Sequence, residues 1–277
     1  MRCAWKELLA ILPIWCRSEV DELGQDTLQE LRLRMGLPPE LVRSNGTVRL
    51  KRNVSSEDLN YVVNTASRYS PWSAASAAQG YITAPGGHRI GLCGQAVVQQ
   101  GDMTGMRQVT SLCIRIARDF DGIARKIQYG SGSILIIGSP GSGKTTLLRD
   151  LIRQRSGAGN GSIAVVDERG ELFPPGFPSG NRTDILGGCG KAQGIEMLVR
   201  TMGPATIAVD EITSEHDCEA LIKAGWCGVN LLATAHAASK EDLYARPVYR
   251  PLVKSHLFDT LIVLQSDKSW KAERMEL

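Results

Sequence analysis

The sequence contains no C-x-x-C pair, although it has seven cysteines. Close cysteine pairs are typical of zinc sites, and even numbers of cysteines at regular spacing are typical of disulfide frameworks in secreted proteins. The odd number and the scattered positions argue against both arrangements. We therefore expect a reducing, cytoplasmic setting, with neither a zinc site nor disulfide bonds.

Long apolar runs are also missing. No stretch approaches the roughly 18 apolar residues that a transmembrane helix requires. The first apolar patch, residues 8–15, is interrupted by Pro13 and flanked by Lys6 and Glu7, so it does not fit a signal peptide. We expect no transmembrane segment in this chain, and any association with a membrane would be peripheral, through a partner or an interfacial helix.

Charge of one sign is not in excess. The 277 residues include 32 Lys and Arg and 29 Asp and Glu, which gives a net charge of +3. This modest balance does not require a nucleic acid or an anionic membrane as a partner. A hydrophobic fraction of 43% and a charged fraction of 22% are ordinary for a soluble globular protein, and the length allows two domains.

What the sequence does contain is a P-loop (Walker A) pattern, G-x-x-x-x-G-K-[ST], from Gly138 to Thr145. An apolar, β-branched run over residues 133–137 predicts a buried strand before the loop, and residues 145–155 have a helical pattern after it. In this order the backbone N–H groups of the loop and the helix N-terminus bind phosphate, while Lys144 reaches the outer phosphates. Thr145 is expected to hold Mg²⁺ through its hydroxyl. The sequence therefore predicts bound ATP and Mg²⁺, with contacts from Gly138, Ser139, Pro140, Gly141, Ser142, Gly143, Lys144, Thr145 and Thr146.

In the second half of the chain, apolar runs alternate with helical patterns. Strands are predicted over residues 162–166, 206–209, 229–233 and 261–264, and helices over residues 192–202 and 215–224. This alternation is typical of a mainly parallel sheet covered by helices on both faces. It predicts an α/β nucleotide-binding domain at residues 131–277.

The first half has a different pattern of predicted elements. It contains a hairpin signal around Asn45-Gly46, a helical pattern over residues 56–68 and a second one over residues 73–78. Short β-like runs broken by glycines follow over residues 81–116. These patterns predict a smaller α+β domain at residues 1–130, with a hinge over residues 129–132.

Charged side chains follow the predicted strands of the second half, at the end where parallel sheets bind ligands. Asp210 is expected to organise the Mg²⁺ shell as a Walker B aspartate does, and Glu211 to orient or activate the attacking water. His236 is a candidate reporter of the γ-phosphate, although a structural histidine also fits this position. Asp167 and Glu168 either belong to the site or cap the next helix.

Arginines matter because phosphoryl transfer is accelerated when a positive group, often from a neighbouring molecule, reaches the γ-phosphate. Arg115 is the favoured catalytic candidate because residues 113–116 form a β-like run that would hold it rigidly. The alternative is a solvated strand arginine. The other candidates are Arg89, Arg118, Arg182 and Arg200.

With these pieces placed, the second half resembles the RecA-like core of the type II and type IV secretion ATPases, including the twitching-motility motors. The resemblance rests on the P-loop, residues 166–169, residues 198–211 and residues 234–236. The whole chain is similar to a family of sporulation proteins that carry this core, through residues 31–34, 87–92, 114–117, 143–150, 182–184 and 191–192.

The resemblance implies a RecA-like P-loop NTPase core preceded by the smaller α+β domain. It also implies a hexameric ATPase in the mother-cell cytoplasm, docked on a membrane-embedded channel between mother cell and forespore. The chain departs from the pattern at Ala205, where the family has an acidic residue, and at Thr213-Ser214, which replace a glycine and a basic residue.

The function predicted is a Mg²⁺-dependent ATPase that powers or gates such a channel during sporulation. Two alternatives use the same core, since a fold does not identify the cargo. One is a nucleic-acid translocase or remodeller, against which the modest charge argues. The other is a nucleotide-gated scaffold with little turnover. The sequence has neither the N-K-x-D signature of GTPases nor the L-S-G-G-Q signature of ABC ATPases.

Overall fold

The computed structural model describes residues 1–67, 80–127, 132–159 and 161–275. The chain divides into two compact units, the first formed by Met1–Asp119 with Pro174–Phe177 and the second by Phe120–Phe173 with Pro178–Leu277. The helix predicted over residues 73–78 lies outside the described residues, as do residues 129–131 of the predicted hinge. The domain boundary at residue 130 also falls there and stays a prediction.

The first unit is built on a six-stranded antiparallel sheet with helices against one face. Its described helices are α1 (Trp5–Ile11), α2 (Ile14–Leu23) and α3 (Ser56–Ser67), and its strands are β1 (Leu28–Arg34), β2 (Glu40–Arg43), β3 (Gly46–Arg49), β4 (Tyr81–Thr83), β5 (Arg89–Gln99) and β6 (Asp102–Arg115). The strand order is β3-β2-β1-β6-β5-β4. The predicted hairpin is β2-β3, and the predicted helix after it is α3.

Local sequence explains how these elements form. Ser55 and Asp58 make a capping box at the start of α3, since the Asp58 N–H donates to Ser55 Oγ and the Ser55 N–H donates to Asp58 Oδ2. In β1, Leu31 and Leu33 are buried whereas Arg32 is exposed on the opposite face. The leucine face therefore packs on the helices and forms the core of this unit.

The second unit contains a seven-stranded sheet. Its strands are β7 (Ile134–Gly138), β8 (Ile163–Asp167), β9 (Thr183–Gly187), β10 (Thr206–Ile212), β11 (Asn230–Ala235), β12 (Thr260–Leu264) and β13 (Trp270–Arg274), and its described helices are α4 (Lys144–Gly157), α5 (Lys191–Met202), α6 (Glu215–Trp226), α7 (Lys240–Ala245) and α8 (Arg250–Lys254). Short 3₁₀ turns occur in this unit at Ile123–Lys126 and Pro247–Tyr249, and in the first unit at Pro85–Gly87. The strand order is β13-β12-β7-β11-β10-β8-β9, and only the edge strand β13 is paired antiparallel.

Helices cover both faces of this sheet. All five residues of β7 are buried, and alternate positions point into two separate clusters. Ile134 and Ile136 pack with the leucines of α4, whereas Leu135 and Ile137 pack with residues of α5 and α6. The mainly parallel sheet with two covered faces is the arrangement predicted from the sequence.

The parallel strands place their carboxyl ends along one edge of the sheet. β7 ends at Gly138, β8 at Asp167 and β11 at Ala235, while Asp210 and Glu211 lie near the end of β10. The structure adds β9, β13, α2, α7 and α8 to the predicted elements. In the parts of the chain that the structure describes, no helix is both long and apolar enough to cross a membrane.

Candidate functional site

The loop between β7 and α4 has the geometry of an anion-binding turn. Gly143 is the N-cap of α4 and has a φ of 104°, in a region that other residues rarely adopt. At Gly138, a Cβ would lie 2.6 Å from Ser142 Oγ and 2.7 Å from the carbonyl oxygen of Leu264, so that only glycine fits. Ser142 Oγ is buried and has no hydrogen-bond partner among the described atoms. A buried polar atom of this kind fits a loop that receives a polar ligand.

Lys144 is the first residue of α4, and only 6% of its surface is exposed. Its Nζ donates to the carbonyl oxygens of Gly138 at 2.8 Å and Ser139 at 3.0 Å. Burial lowers the pKa of this ammonium, and the charges of Asp210 and Glu211 act in the opposite direction. No carboxylate within the described parts of the chain lies within 4.0 Å of Nζ, so the charge is available to an anion.

Asp210 lies next to this loop and is partly buried. Thr145 Oγ1 donates to Asp210 Oδ2 at 2.6 Å, and Thr234 Oγ1 donates to Asp210 Oδ1 at 2.6 Å. Burial raises the pKa of Asp210, while the hydrogen bonds from the two threonines lower it. A carboxylate beside a threonine hydroxyl is an oxygen donor set that suits Mg²⁺.

Thr145 and Asp210 supply only part of the oxygen ligands that an Mg²⁺ ion needs, which is usual for protein sites of this ion. Among the described residues, no group of three or more His, Cys, Asp or Glu side chains is placed to hold a metal ion. Mg²⁺ is usually bound by one or two protein oxygens together with substrate phosphates and water. Thr145 and Asp210 therefore fit Mg²⁺ that arrives with a nucleotide.

A chain of polar contacts joins the loop to the acidic end of β10. Lys144 Nζ lies 3.0 Å from His236 Nδ1, and His236 Nε2 lies 3.1 Å from Glu211 Oε1. An ammonium can only donate, so Nδ1 accepts and the Nε2–H donates to Glu211. His236 is held in place because its backbone N–H donates to the hydroxyl of Tyr249 at 3.3 Å. The structure thus brings together Lys144, His236 and Glu211, which are three of the four residues predicted to be catalytic. The fourth is Arg115.

Glu211 is held by further contacts. Its φ is 55°, which is uncommon for a residue other than glycine, and its N–H donates to Thr234 Oγ1 at 2.8 Å. Glu211 Oε2 lies 3.5 Å from an Arg169 nitrogen. A cavity of about 20 Å³ adjoins Glu211, and it is lined by Val166, Asp167, Glu168, Arg169, Glu171, Lys191, Asp210 and Glu211. That volume is enough for one water molecule.

Asp167 and Glu168 have separate structural roles. Asp167 is buried and accepts from the backbone N–H groups of Glu171, Leu172 and Phe173, which fixes the loop after β8. Burial raises the pKa of Asp167, and these backbone hydrogen bonds lower it. Glu168 accepts from Lys191 Nζ at the first turn of α5. Glu168 thus joins two elements beside the cavity. Asp167 holds the loop after β8, whereas one of its two predicted roles was to cap a helix.

The arginine candidates lie in different parts of the chain. Arg115 belongs to the first unit, its side chain is 70% exposed, and its Nε lies 3.8 Å from Glu30 Oε2. Arg89 packs over the ring of Tyr81 at 4.2 Å, and Arg118 donates to backbone carbonyls of the same unit. The two candidates of the second unit, Arg182 and Arg200, are exposed.

Three side chains that contact the site were not predicted from the sequence. Thr234 is a fully buried polar residue in an apolar strand, and that mismatch is a usable signal. Arg169 follows Asp167-Glu168 directly, but its contact with Glu211 depends on β8 and β10 being neighbours. Lys268 donates from its Nζ to the carbonyl oxygen of Gly141, and no local pattern indicates this contact.

Comparisons with solved structures agree on the fold. The X-ray structure of the ATPase DotB from Yersinia pseudotuberculosis is similar with a TM-score of 0.64 at 14% identity, over 95% of this chain and 79% of that chain. The crystal structure of the pilus retraction motor PilT with bound ADP is similar with a TM-score of 0.64 at 15% identity, over 91% of this chain and 77% of that chain. The predicted fold, an α/β RecA-like P-loop core with a smaller α+β part before it, is confirmed.

The sequence relatives point to one family. The family model described as "Sporulation stage III, protein AA" matches residues 6–273. "Stage III sporulation protein AA" of Bacillus subtilis (strain 168) is 35% identical over an alignment of 280 positions, and the alignment covers 95% of this chain and 91% of that protein. The chain therefore belongs to the family of sporulation stage III proteins AA.

Proposed function

We propose that this protein is a Mg²⁺-dependent ATPase whose P-loop (Walker A) is Gly138 to Thr145. The observation that carries the proposal is the contact chain from Lys144 through His236 to Glu211, with distances of 3.0 Å and 3.1 Å. This chain links the cation that would meet the outer phosphates to the carboxylate beside a water-sized cavity. A site that only stores a nucleotide has no need of that link.

The residues have distinct parts in this mechanism. Lys144 binds the outer phosphates, and to do so it leaves the carbonyl oxygens of Gly138 and Ser139. Once Lys144 has moved, His236 Nδ1 is free to bind another donor, so the histidine reports phosphate binding to Glu211. Glu211 then orients a water molecule and accepts its proton as general base.

Thr145 and Asp210 would hold Mg²⁺. The ion supplies positive charge that neutralises the phosphate oxygens during phosphoryl transfer. Asp210 is kept in place by the hydroxyls of Thr145 and Thr234. Because the Thr234 hydroxyl holds Oδ1 independently of the Thr145 hydroxyl on Oδ2, the carboxylate would keep its orientation with an ion bound.

The family and the fold together support a motor role. The curated relative is named as a sporulation protein, and the structural neighbours are named as an ATPase and a pilus retraction motor. We infer that the chain assembles as a hexamer in the mother-cell cytoplasm, peripheral to the membrane, where it powers or gates a membrane-embedded channel to the forespore. Nucleic acid is not required for this role.

The decisive experiment compares wild type with Lys144→Ala by ATP titration and by phosphate release. The substitution removes the charge on the outer phosphates, so we expect ATP affinity to fall about a hundredfold without unfolding. Lys223→Ala is the matched control, because this exposed lysine of α6 pairs only at 3.5 Å with Glu196. Undiminished ATP affinity in folded Lys144→Ala protein would exclude the proposed role.

The same assays separate the alternatives. Tight ATP binding with no phosphate release from an assembled sample would favour a nucleotide-gated scaffold. Phosphate release that requires single-stranded DNA or RNA, with salt-dependent binding of that strand, would favour a nucleic-acid translocase. We expect release of phosphate without nucleic acid, and no release without Mg²⁺.

A further inference from the structure

The turn between β12 and β13 lies beside the P-loop. β12 pairs in parallel with β7, and Leu264 at its end is in register with Gly138, where the loop begins. The chain that continues from Leu264 therefore emerges at the same edge of the sheet as the loop. Lys268 is an exposed residue of this turn, two positions before β13.

Internal hydrogen bonds fix the shape of this turn. The N–H of Gln265 donates to the carbonyl oxygen of Ser269 at 2.9 Å, and Asp267 Oδ1 accepts from the N–H and the hydroxyl of Ser269 at 2.8 Å and 2.6 Å. Lys268 has a φ of 71°, in the left-handed region that lysine seldom adopts. A lysine in this backbone conformation is held where an ordinary turn would place glycine or asparagine.

The side chain of Lys268 reaches the loop. Its Nζ donates to the carbonyl oxygen of Gly141, and its Cδ lies 4.0 Å from the point that a Cβ on Gly143 would occupy. Gly141 and Gly143 lie within the phosphate-binding stretch, between Gly138 and Thr145. Lys268 thus places an ammonium at the loop from an element outside the P-loop pattern.

Two ammonium groups consequently gather at one loop. Lys144 is close enough for the positive charge of Lys268 to contribute to its lowered pKa, although burial is the larger cause. Neither lysine forms an ion pair with a carboxylate in the described ranges. Like charges repel, and the repulsion is relieved when an anion binds near both of them. A polyphosphate is an anion long enough to contact two separate cations.

We propose that Lys268 belongs to the nucleotide site, as a second cationic side chain that binds the phosphate oxygens of a nucleoside di- or triphosphate. This inference rests on the proposed function, because it names a further residue for the same ligand. When a nucleotide binds, the ammonium of Lys268 leaves the carbonyl oxygen of Gly141 for a phosphate oxygen. The exchange replaces a neutral acceptor by a charged one, which is the stronger partner.

The test is a calorimetric titration of the full chain with ADP and with ATP. In Lys268→Met the stem of the side chain is kept and the charge is removed, so we expect both nucleotides to bind about tenfold more weakly near 0.1 M salt. Lys268→Arg keeps the charge and should restore most of the affinity. Lys271→Met is the matched control, because Lys271 lies on β13, is 75% exposed and pairs with Glu273 at 2.7 Å.

A fourth variant separates the charge from a structural role. In Lys268→Gln, an uncharged amide can still donate to the carbonyl oxygen of Gly141. We expect this variant to bind as weakly as Lys268→Met, and we expect the deficit of both to shrink near 1 M salt, where the Debye length falls to about 3 Å. Affinity restored by glutamine would show that Lys268 only holds the loop, and it would overturn the proposal.

The outcomes also distinguish this inference from the proposed function. If wild-type protein fails to bind ADP or ATP, the proposed function fails, and the inference fails with it. If wild type binds and all four variants bind equally well, only the inference fails. Thermal unfolding of each variant shows which of them are folded, and the Arg and Gln variants decide the question if Lys268→Met does not fold.

Discussion

At the scale of single residues, two adjacent carboxylates at the end of β10 face different partners. Asp210 accepts from the hydroxyls of Thr145 and Thr234, whereas Glu211 contacts His236 and Arg169, and both carboxylates line the small cavity. Glu211 has a left-handed backbone, and it lies between Val209 and Ile212, where the pairing of β10 with β11 shifts register. Uncommon backbone conformations of this kind cluster at functional sites, where surrounding contacts hold them.

This separation predicts different defects for the two residues. Glu211→Gln keeps the shape but loses the negative charge, so we expect hydrolysis to fall about 10²- to 10⁴-fold while Mg²⁺-ATP still binds. Asp210→Ala removes an oxygen ligand, so ATP affinity should lose its dependence on Mg²⁺. Both variants are measured by phosphate release and by ATP titration with and without Mg²⁺.

Glu196→Gln is the control for this pair, because Glu196 is a half-exposed carboxylate of α5 whose contact is an ion pair with Lys223 at 3.5 Å. It should behave as wild type in both assays. Equal loss of ATP affinity in Glu211→Gln and Asp210→Ala would contradict the division of labour. Full hydrolysis by Glu211→Gln would transfer the role of base to Glu168 or Glu171, which line the same cavity.

At the scale of elements, the helices and strands that depend on a local sequence pattern were predicted. Helix α3 follows from the helical pattern over residues 56–68, and β7, the loop and α4 follow from adjoining patterns. α2 was missed because Pro13 was interpreted as an interruption of an apolar patch. In the structure Pro13 is the N-cap of α2, a place where its fixed φ and missing N–H are harmless.

Elements at the sheet edges were missed for a different reason. β9 is an edge strand in which Ile185 is 44% exposed, and β13 is an edge strand rich in charged residues, so neither forms an apolar run. The contact between Lys268 and Gly141 joins positions 127 apart and requires β12 to lie next to β7. Strand order of this kind depends on packing between distant segments and has no local signature.

His88 shows how one buried side chain ties elements together. Its Nε2 lies 2.8 Å from the carbonyl oxygen of Ala4, where α1 begins, and its Nδ1 accepts from the N–H of Ala117 at 3.2 Å. Burial lowers the pKa of His88; the backbone contact and Glu7 raise it, and Arg118 lowers it. Both hydrogen bonds can form only when the imidazole is neutral, because Nδ1 must accept while Nε2 donates.

This arrangement predicts an acid-sensitive first unit. Because the folded-state pKa lies below the ordinary value of about 6.5, the unfolded chain binds more protons as the pH falls, and stability is lost from about pH 6.5 downwards. We expect the melting temperature of wild type to fall between about pH 8 and pH 5 more steeply than that of His88→Gln, which does not titrate. Parallel pH profiles for the two proteins would show that His88 does not couple to folding.

At the scale of the whole molecule, the first unit presents arginines on the sheet face opposite its helices. Arg115 on β6 lies between Glu30 on β1 and Arg89 on β5 in the strand register. Arg115 is 70% exposed and pairs with Glu30 only at 3.8 Å. An exposed pair at that distance contributes at most about 1 kcal/mol, so Arg115 can exchange it for a stronger anion.

We propose that Arg115 reaches the γ-phosphate of a neighbouring copy in the assembled ring, where an arginine in trans contributes about 10³- to 10⁵-fold in rate. The prediction concerns mixtures of Arg115→Ala chains with Lys144→Ala chains, each inactive alone. In mixed rings some interfaces pair an intact Arg115 with an intact Lys144 site, so phosphate release should recover.

The control for this experiment is Arg49→Ala, since Arg49 is 73% exposed and pairs with Glu40 at 3.6 Å on the same sheet. Removal of an ordinary surface ion pair should leave Arg49→Ala rings as active as wild type. A lower rate of phosphate release in Arg115→Ala rings would then be specific to that position. Mass measurement with and without ATP establishes that mixed rings have formed. If such rings form and recover no activity, Arg115 is not the trans arginine, and Arg182 and Arg200 become the next residues to replace, because both are exposed on the unit that carries the P-loop.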